Sequence, residues 1–225
     1  FKEKLDYIVS ELMECQKSRP DGYIAAMPDG ARVWAEVKKG EIRSRGFDLN
    51  GLWSPWYTHH KVLQGLIDAY RIGGNKDALT VARKFADWTY EETKGLTDDQ
   101  WQKMLGTEYG GMNDVLAQLY DITKEPRYLE VSRKFYDNRV LAPLAEGHDD
   151  LSGKHSNTQI PKIIGLAELY ELTGDEKDQK TAEFFWDRVV HHHTYAIGGN
   201  SNHEYLGPPD HLADRQPIVW KKLSM

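Results

Sequence analysis

The residues best suited to chemistry fall in three stretches about fifty residues apart and in one later loop. His59 and His60 come first, with Trp53 and Trp56 beside them. Glu108 and Asn113 follow, and then His155, Asn157 and Gln159. Neutral imidazoles, amides and carboxylates set among Trp faces are groups that bind sugar hydroxyls and the C–H faces of sugar rings. Downstream, residues 195–209 read YAIGGNSNHEYLGPP. Gly198-Gly199 allows a tight backbone path. Asn200, Ser201, Asn202, His203 and Glu204 then set polar side chains in a row. A carboxylate beside a histidine and among aromatics, as Glu204 is beside His203, is a candidate general acid. Each feature also has a plainer reading. A histidine can pack or cap at its own helix, and a polar run can be a solvated loop.

Other constellations point to no chemistry. His191-His192-His193 resembles a metal cluster, but it closes a helical pattern, where histidine suits the negative end of the helix dipole. Asp98-Asp99 and Asp149-Asp150 read as helix-start or loop carboxylates. His203-Glu204 lacks the second histidine of a zinc-protease helix, and the Gly-Gly pairs lack nucleotide-loop spacing. No Gly-x-Ser-x-Gly elbow occurs. No metal site is assigned within this chain.

The elements that must position these residues are marked by an internal repeat. Residues 66–88, LIDAYRIGGNKDALTVARKFADW, align without a gap to 116–138 and to 166–188. Tyr70, Tyr120 and Tyr170 share one register, as do Phe85, Phe135 and Phe185, and Asp87, Asp137 and Asp187. Each repeat reads as two helices joined by a short turn. Gly73-Gly74-Asn75 makes the first turn. Pro126 suits the opening of a helix in the second, and Gly174 a left-handed cap in the third. In the last helix Ala182, Phe185, Trp186 and Val189 are expected on one inward face. Residues 1–17 read as an earlier helix with Leu5, Ile8, Val9, Leu12 and Met13 inward.

Hairpins of this kind bury their faces by stacking, either as an open solenoid or as a closed ring. The inter-repeat segments 46–60, 95–111 and 146–159 are long and rich in Gly, Trp, His and Asn, which favours the ring with functional loops at one end. Register places 55–60, 105–110 and 155–160 at the N-terminal ends of equivalent helices. The fold class expected is therefore all-α, an (α/α) toroid or barrel of helix hairpins with a period of about fifty residues.

Composition narrows the partners. The chain has 225 residues, 40% of them apolar, and a formal charge of −6. No stretch approaches the ~18 apolar residues of a spanning helix, so no membrane is expected. The acidic balance argues against nucleic acid, which demands a basic face. The single Cys15 excludes an internal disulfide framework. Residue 1 is Phe and charged residues follow, which does not read as a signal peptide.

Four segments carry a family resemblance: GLWSPWYTHHKVLQGLIDAY at 51–70, EYGGMNDVLAQLYDIT at 108–123, GKHSNTQIPKIIGLAELYELTGD at 153–175, and YAIGGNSNHEY at 195–205. Together they resemble the β-L-arabinofuranosidase-like glycoside hydrolases, family 127 and its relative family 146, over roughly residues 1–215. The resemblance implies an (α/α) barrel and a bacterial enzyme acting on L-arabinofuranosides of plant glycans by a retaining mechanism. It implies that Glu204 is the acid/base. The residues brought forward above, His59, His60, Trp56, Glu108, His155, Asn157, Gln159 and His203, are then expected to bind the sugar.

The family's nucleophile is a cysteine thiolate on a zinc ion, so zinc is expected in an intact family enzyme. No cysteine follows Cys15 in this chain, and none of its residues is assigned to zinc. The tail at 216–225, QPIVWKKLSM, does not resemble the family. Six hairpins of about fifty residues would need roughly 300 residues. The chain is therefore expected to be an incomplete barrel, inactive alone, with an open edge that would favour self-association. Two rivals remain open. One is another (α/α)-barrel carbohydrate enzyme, such as an uronyl hydrolase or an epimerase. The other is a non-catalytic carbohydrate-binding or helical-scaffold protein.

Overall fold

The computed structural model describes residues 1–212, so the expected tail at 216–225 lies outside the described residues. In chain order the elements are α1 (Lys2–Lys17), α2 (Gly30–Lys38), β1 (Ser44–Arg45), β2 (Asp48–Leu49), β3 (Leu52–Trp53), α3 (Pro55–Arg71), α4 (Lys76–Thr93), α5 (Asp98–Met104), α6 (Met112–Thr123), α7 (Pro126–Lys134), α8 (Asn138–Ala145), α9 (Ser156–Thr173) and α10 (Glu176–His192). Among the described residues no helix is long and apolar enough to cross a membrane. The chain divides into two compact units, Phe1–Tyr136 and the part from Asp137 onward.

The hairpins follow the repeat. α3 and α4 pair, as do α6 and α7, and α9 and α10. The expected turn residues act as capping chemistry requires. Asn75 accepts a hydrogen bond from the Ala78 amide at 3.1 Å and so caps α4. Pro126 opens α7, and Gly174 closes α9 at φ 72°.

Three features depart from the sequence reading. Residues 44–53 form a three-stranded antiparallel meander, β1-β2-β3. Its strands are two residues each, too short to show a period of two. Asn50 holds it together: its Oδ1 accepts from the Arg43 amide at 2.7 Å, and its Nδ2 donates to Glu36 and to the Glu41 carbonyl, each at 2.8 Å.

The second helix of the middle repeat is broken. α7 stops at Lys134, and Asp137 caps a separate α8 by accepting from the Arg139 amide at 3.2 Å. The inward faces also shift. Ile8 is 57% exposed and Trp186 is 68% exposed. The row that faces inward on α10 is Asp178, Thr181, Phe185 and Val189, and Trp186 lies one residue off it. On α1 the buried row runs through Val9 and Gln16, which leaves Ile8 to one side.

In the first unit the core gathers around Phe85 and Phe135. His59, on α3, is fully buried there among five rings: Phe85 at 4.9 Å, Trp34 at 5.1 Å, Trp56 at 5.2 Å, Trp88 at 5.3 Å and Tyr23 at 5.6 Å between centroids. Both of its ring nitrogens are buried without a hydrogen-bond partner. Burial in this apolar cage pushes the imidazole down to about 3. In the second unit the carboxylate of Asp137 meets the Lys162 ammonium of α9 at 3.0 Å, and both side chains are buried. Burial alone would raise the Asp137 carboxyl. The Lys162 charge and the Arg139 guanidinium, 2.9 Å away, outweigh it and hold the carboxyl below its ordinary range.

Both buried groups give measurable consequences. His59 stays neutral when folded, whereas the unfolded chain takes up a proton below about pH 6.5. Stability is therefore lost as the pH falls from there toward 3, by about 2 kcal/mol at pH 5 from this group alone. His59→Phe keeps a ring in the cage and breaks no hydrogen bond. Urea titrations at pH 7 and 5 should show the variant losing about 2 kcal/mol less than the parent. An unchanged difference would mean that His59 is protonated in the fold. For the second unit, Lys162→Met leaves Asp137 with one cation of its two and should cost about 3–5 kcal/mol. A loss below about 1 kcal/mol in urea unfolding would show that Arg139 satisfies the carboxylate alone.

Candidate active site

In the first unit, the candidate residues sit on the first turns of α3 and on the approach to α6. Pro55 opens α3 and fixes φ for its first turn. The helical spacing that follows sends Trp56 and His59 into the core, and both are fully buried. A side chain with no exposed surface touches a ligand only if its surroundings move. His60 turns toward the loop before α6. Its Nδ1 accepts a hydrogen bond from the Gly111 amide at 3.1 Å, so in the neutral ring the proton sits on Nε2, which is left as a donor. Burial, with Lys61 adding to it, lowers this imidazole to about 4.

The Gly110-Gly111 pair is what lets the backbone come this close. A Cβ on Gly110, whose φ is +57°, would lie 2.6 Å from His60 Nδ1, and one on Gly111 would lie 3.0 Å from Nε2. Glu108 stands two residues before the pair, half-buried, with its amide donating to the Gly46 carbonyl at 2.8 Å. That bond and the Gly46–Thr107 bridge pin the meander loop to the Glu108 segment. Asn113, in the first turn of α6, is buried, and its carbonyl accepts from the Ser132 hydroxyl at 2.6 Å. Trp53 is 74% exposed at the end of β3 and lies against Phe47 at 5.1 Å.

In the second unit the loop 195–207 returns to the start of α9. The Ser156 amide donates to the Glu204 carbonyl at 2.8 Å, the Leu206 amide to the Lys154 carbonyl at 3.0 Å, and the Gly153 amide to the Leu206 carbonyl at 2.8 Å. The Ser156 hydroxyl donates to Asn200 Oδ1 at 2.8 Å. Gly198, at φ +88°, makes the turn that allows the return, as the Gly-Gly pair suggested. This pairing brings His155 and Glu204 together. His155 Nε2 lies 3.2 Å from Glu204 Oε2, and the imidazole packs edge-on to Tyr205 at 5.4 Å.

The other candidates in this unit divide. Gln159 is buried, and its amide nitrogen, Nε2, donates to the His155 carbonyl at 3.0 Å, while its Oε1 has no partner. Asn157 and His203 are exposed. The neighbouring aromatic and apolar residues do not shield Glu204 from water: Leu206 is buried but Tyr205 is 45% exposed, and the Glu204 side chain itself is 79% exposed.

The histidine run takes a structural part. His193 caps α10 fully buried, with Nε2 at 3.0 Å from Asp149, and His192 Nδ1 lies 2.9 Å from Asp210. Burial would raise the Asp149 carboxyl, but hydrogen bonds from Arg188 and His193 hold it below its ordinary value. That partner for His193 was hidden in sequence, because Asp149 is a loop residue 44 positions away. A cavity of about 420 Å³ lies elsewhere on the first unit, lined by Gln16, Arg19, Lys84 and Asp87 among others, and none of the candidate residues lines it.

Among the described residues no donor set for zinc is assembled. Cys15 is exposed on α1, and among the described residues no three His, Cys, Asp or Glu side chains gather in a way that could hold a metal ion. The residues present therefore do not fit the ion that the family resemblance implies.

Comparison with known proteins bears on the family. No curated protein matches the chain. Among solved structures, a GH127 β-arabinofuranosidase is similar at 20% identity with a TM-score of 0.65, covering 92% of this chain and 34% of its own. A GH127 β-L-arabinofuranosidase from Geobacillus stearothermophilus T6 is similar at 18% identity with a TM-score of 0.63, over 92% of this chain and 35% of its own. These likenesses concern the fold, and the chain spans about a third of the length of those structures. The family model for the β-L-arabinofuranosidase GH127 catalytic domain matches residues 1–217. With the helical-hairpin fold and that match across nearly its whole length, the chain belongs to the GH127 β-L-arabinofuranosidase catalytic-domain family.

Proposed function

We propose that this chain is a glycoside hydrolase region that takes L-arabinofuranosides or related sugars of plant glycans. Family membership supports the reaction class, and one observation carries the site: the Glu204 carboxylate stands 3.2 Å from His155, on a loop bonded to the start of α9. Glu204 would protonate the glycosidic oxygen as the bond to the anomeric carbon breaks, and as a carboxylate would then take a proton from the attacking water. The two roles in sequence correspond to a retaining displacement. Beside Glu204 in the second unit, Asn157 and His203 are further polar groups for the sugar, with the buried Gln159 supporting them. Within the first unit, the sugar-binding groups are His60, which offers a donor at Nε2, and Glu108, backed by the buried His59 and Trp56. The group that attacks the anomeric carbon is not among the assigned residues, so hydrolysis by this chain alone is expected to be absent, with or without added zinc.

A second reading, sugar binding without catalysis, is favoured by the 79% exposure of the Glu204 side chain, since an acid that must hold a proton near neutral pH is ordinarily enclosed.

The test uses an aryl β-L-arabinofuranoside with the full chain, with and without zinc, followed by calorimetry and release of the phenol. Saturable binding that His155→Ala weakens by about tenfold, or about 1.4 kcal/mol, supports the site. Where hydrolysis occurs, for instance in a longer protein containing this region, Glu204→Gln should lower it by a factor of about 10² to 10⁴ on a poor leaving group. A parental rate in that variant removes Glu204 from the role. Binding of an unsaturated uronide in place of the arabinoside would move the substrate class.

A further inference from the structure

Glu204 occupies a backbone conformation that its own side chain disfavours. Asn202 and Tyr205 exchange both backbone hydrogen bonds, with the Asn202 amide donating to the Tyr205 carbonyl at 2.9 Å and the Tyr205 amide to the Asn202 carbonyl at 3.1 Å. The two residues between them, His203 and Glu204, have φ of +48° and +71°. A two-residue hairpin loop with both φ positive is the type I′ pattern, whose preferred occupants are Asn followed by Gly. Left-handed backbone costs a side chain such as Glu about 1 kcal/mol or more relative to glycine. This turn carries His-Glu at those two positions.

Several contacts over-determine the turn from the other side. The Glu204 carbonyl accepts from the Ser156 amide, at the open start of α9, and Leu206 pairs with Lys154. Those bonds fix the backbone of residue 204 but leave its carboxylate free to swing. The side chain has one further restraint, the hydrogen bond from His155 Nε2 to Oε2 at 3.2 Å. The His155 backbone is itself locked, because its carbonyl accepts from the Thr158 hydroxyl at 2.9 Å and from Gln159 Nε2 at 3.0 Å. The imidazole is held edge-on by Tyr205 and is largely buried. A fixed donor thus faces a carboxylate on a strained turn.

We propose that His155 is a positioning residue for Glu204: it holds the carboxylate in one orientation on a strained turn. This rests on the reading of Glu204 as the proton donor. It assigns His155 an orienting part distinct from contact with sugar.

The experiment reads conformation and folding in the full chain and requires neither sugar nor turnover. Glu204→Gly should raise the folding equilibrium constant in urea titrations by about three- to tenfold, since glycine relieves the left-handed penalty at the loss of one exposed hydrogen bond. His155→Phe keeps the ring against Tyr205 and removes the donor. It should change the folding constant by less than about threefold while the Glu204 side chain goes from one χ1 rotamer to an average of several, read from three-bond NMR couplings. His155→Gln restores a donor and should restore the single rotamer.

A folding constant lowered by Glu204→Gly would overturn the strain argument, because the side chain would then be what holds the turn. A Glu204 rotamer that stays single in His155→Phe would overturn the positioning role. Failure of the arabinoside reading alone would appear as absent binding and hydrolysis with these conformational readouts intact.

Discussion

The packing of aromatic rings around Phe85 and Phe135 is the constraint from which the first unit is built. Phe85 meets Tyr23, His59 and Trp88, while Phe135 meets Trp56, Trp101 and Tyr109. Rings of that size bury large apolar areas and fit together in only a few arrangements. They fix the rotation of α3 about its axis, because Trp56 and His59 must both face them. Once that rotation is set, His60 is carried around to meet the Gly111 amide. Two adjacent histidines thereby take opposite parts, one a packed ring and the other an oriented hydrogen-bonding group. The helix turn of 100° per residue is enough to separate them.

How much of this was legible in the sequence follows from the range of each interaction. The repeat was visible because equivalent Tyr, Phe and Asp residues recur at one period, and a hairpin that stacks on its like conserves its own pattern. Turns made by Asn75, Pro126 and Gly174 were visible because their chemistry is local. The meander was not, since two-residue strands carry no alternation and its organiser, Asn50, acts through bonds to Glu36 and Glu41 on separate segments. The break after α7 was hidden in a stretch that aligns with an unbroken helix elsewhere. Asp137 and Asn138 are cap-type residues there, and a buried lysine from α9 meets the first of them.

For the candidate residues, type and register were what the sequence made legible. Residue types and register brought His60, Glu108, His155 and Glu204 forward as a set. Each of these lies where a loop meets the start of a helix, and backbone bonds to the adjoining segment hold each loop in place. The enclosure of Glu204 could not be read from its neighbours in sequence. Tyr205 and Leu206 flank it in the chain, yet its side chain is 79% exposed on a turn with positive φ at residues 203 and 204. Local aromatic content predicts shielding only where the backbone is extended or helical, and a tight turn is neither.

The break after α7 also separates two units that are easily taken for one. The stretch of chain that was duplicated runs from one helix pair to the next with a period of fifty residues. The compact units instead divide between Tyr136 and Asp137, inside the second copy. Sequence repeat and compact unit are therefore out of phase along this chain. A cut made at the edge of a copy would fall inside a helix, as within α3 just before Leu66. The duplicated aspartate shows how far the copies have parted. Asp87 accepts from the Tyr128 hydroxyl, Asp137 caps a helix and neutralises a buried lysine, and Asp187 stays near the surface beside His192. One register position of the repeat thus serves a different set of interactions in each copy.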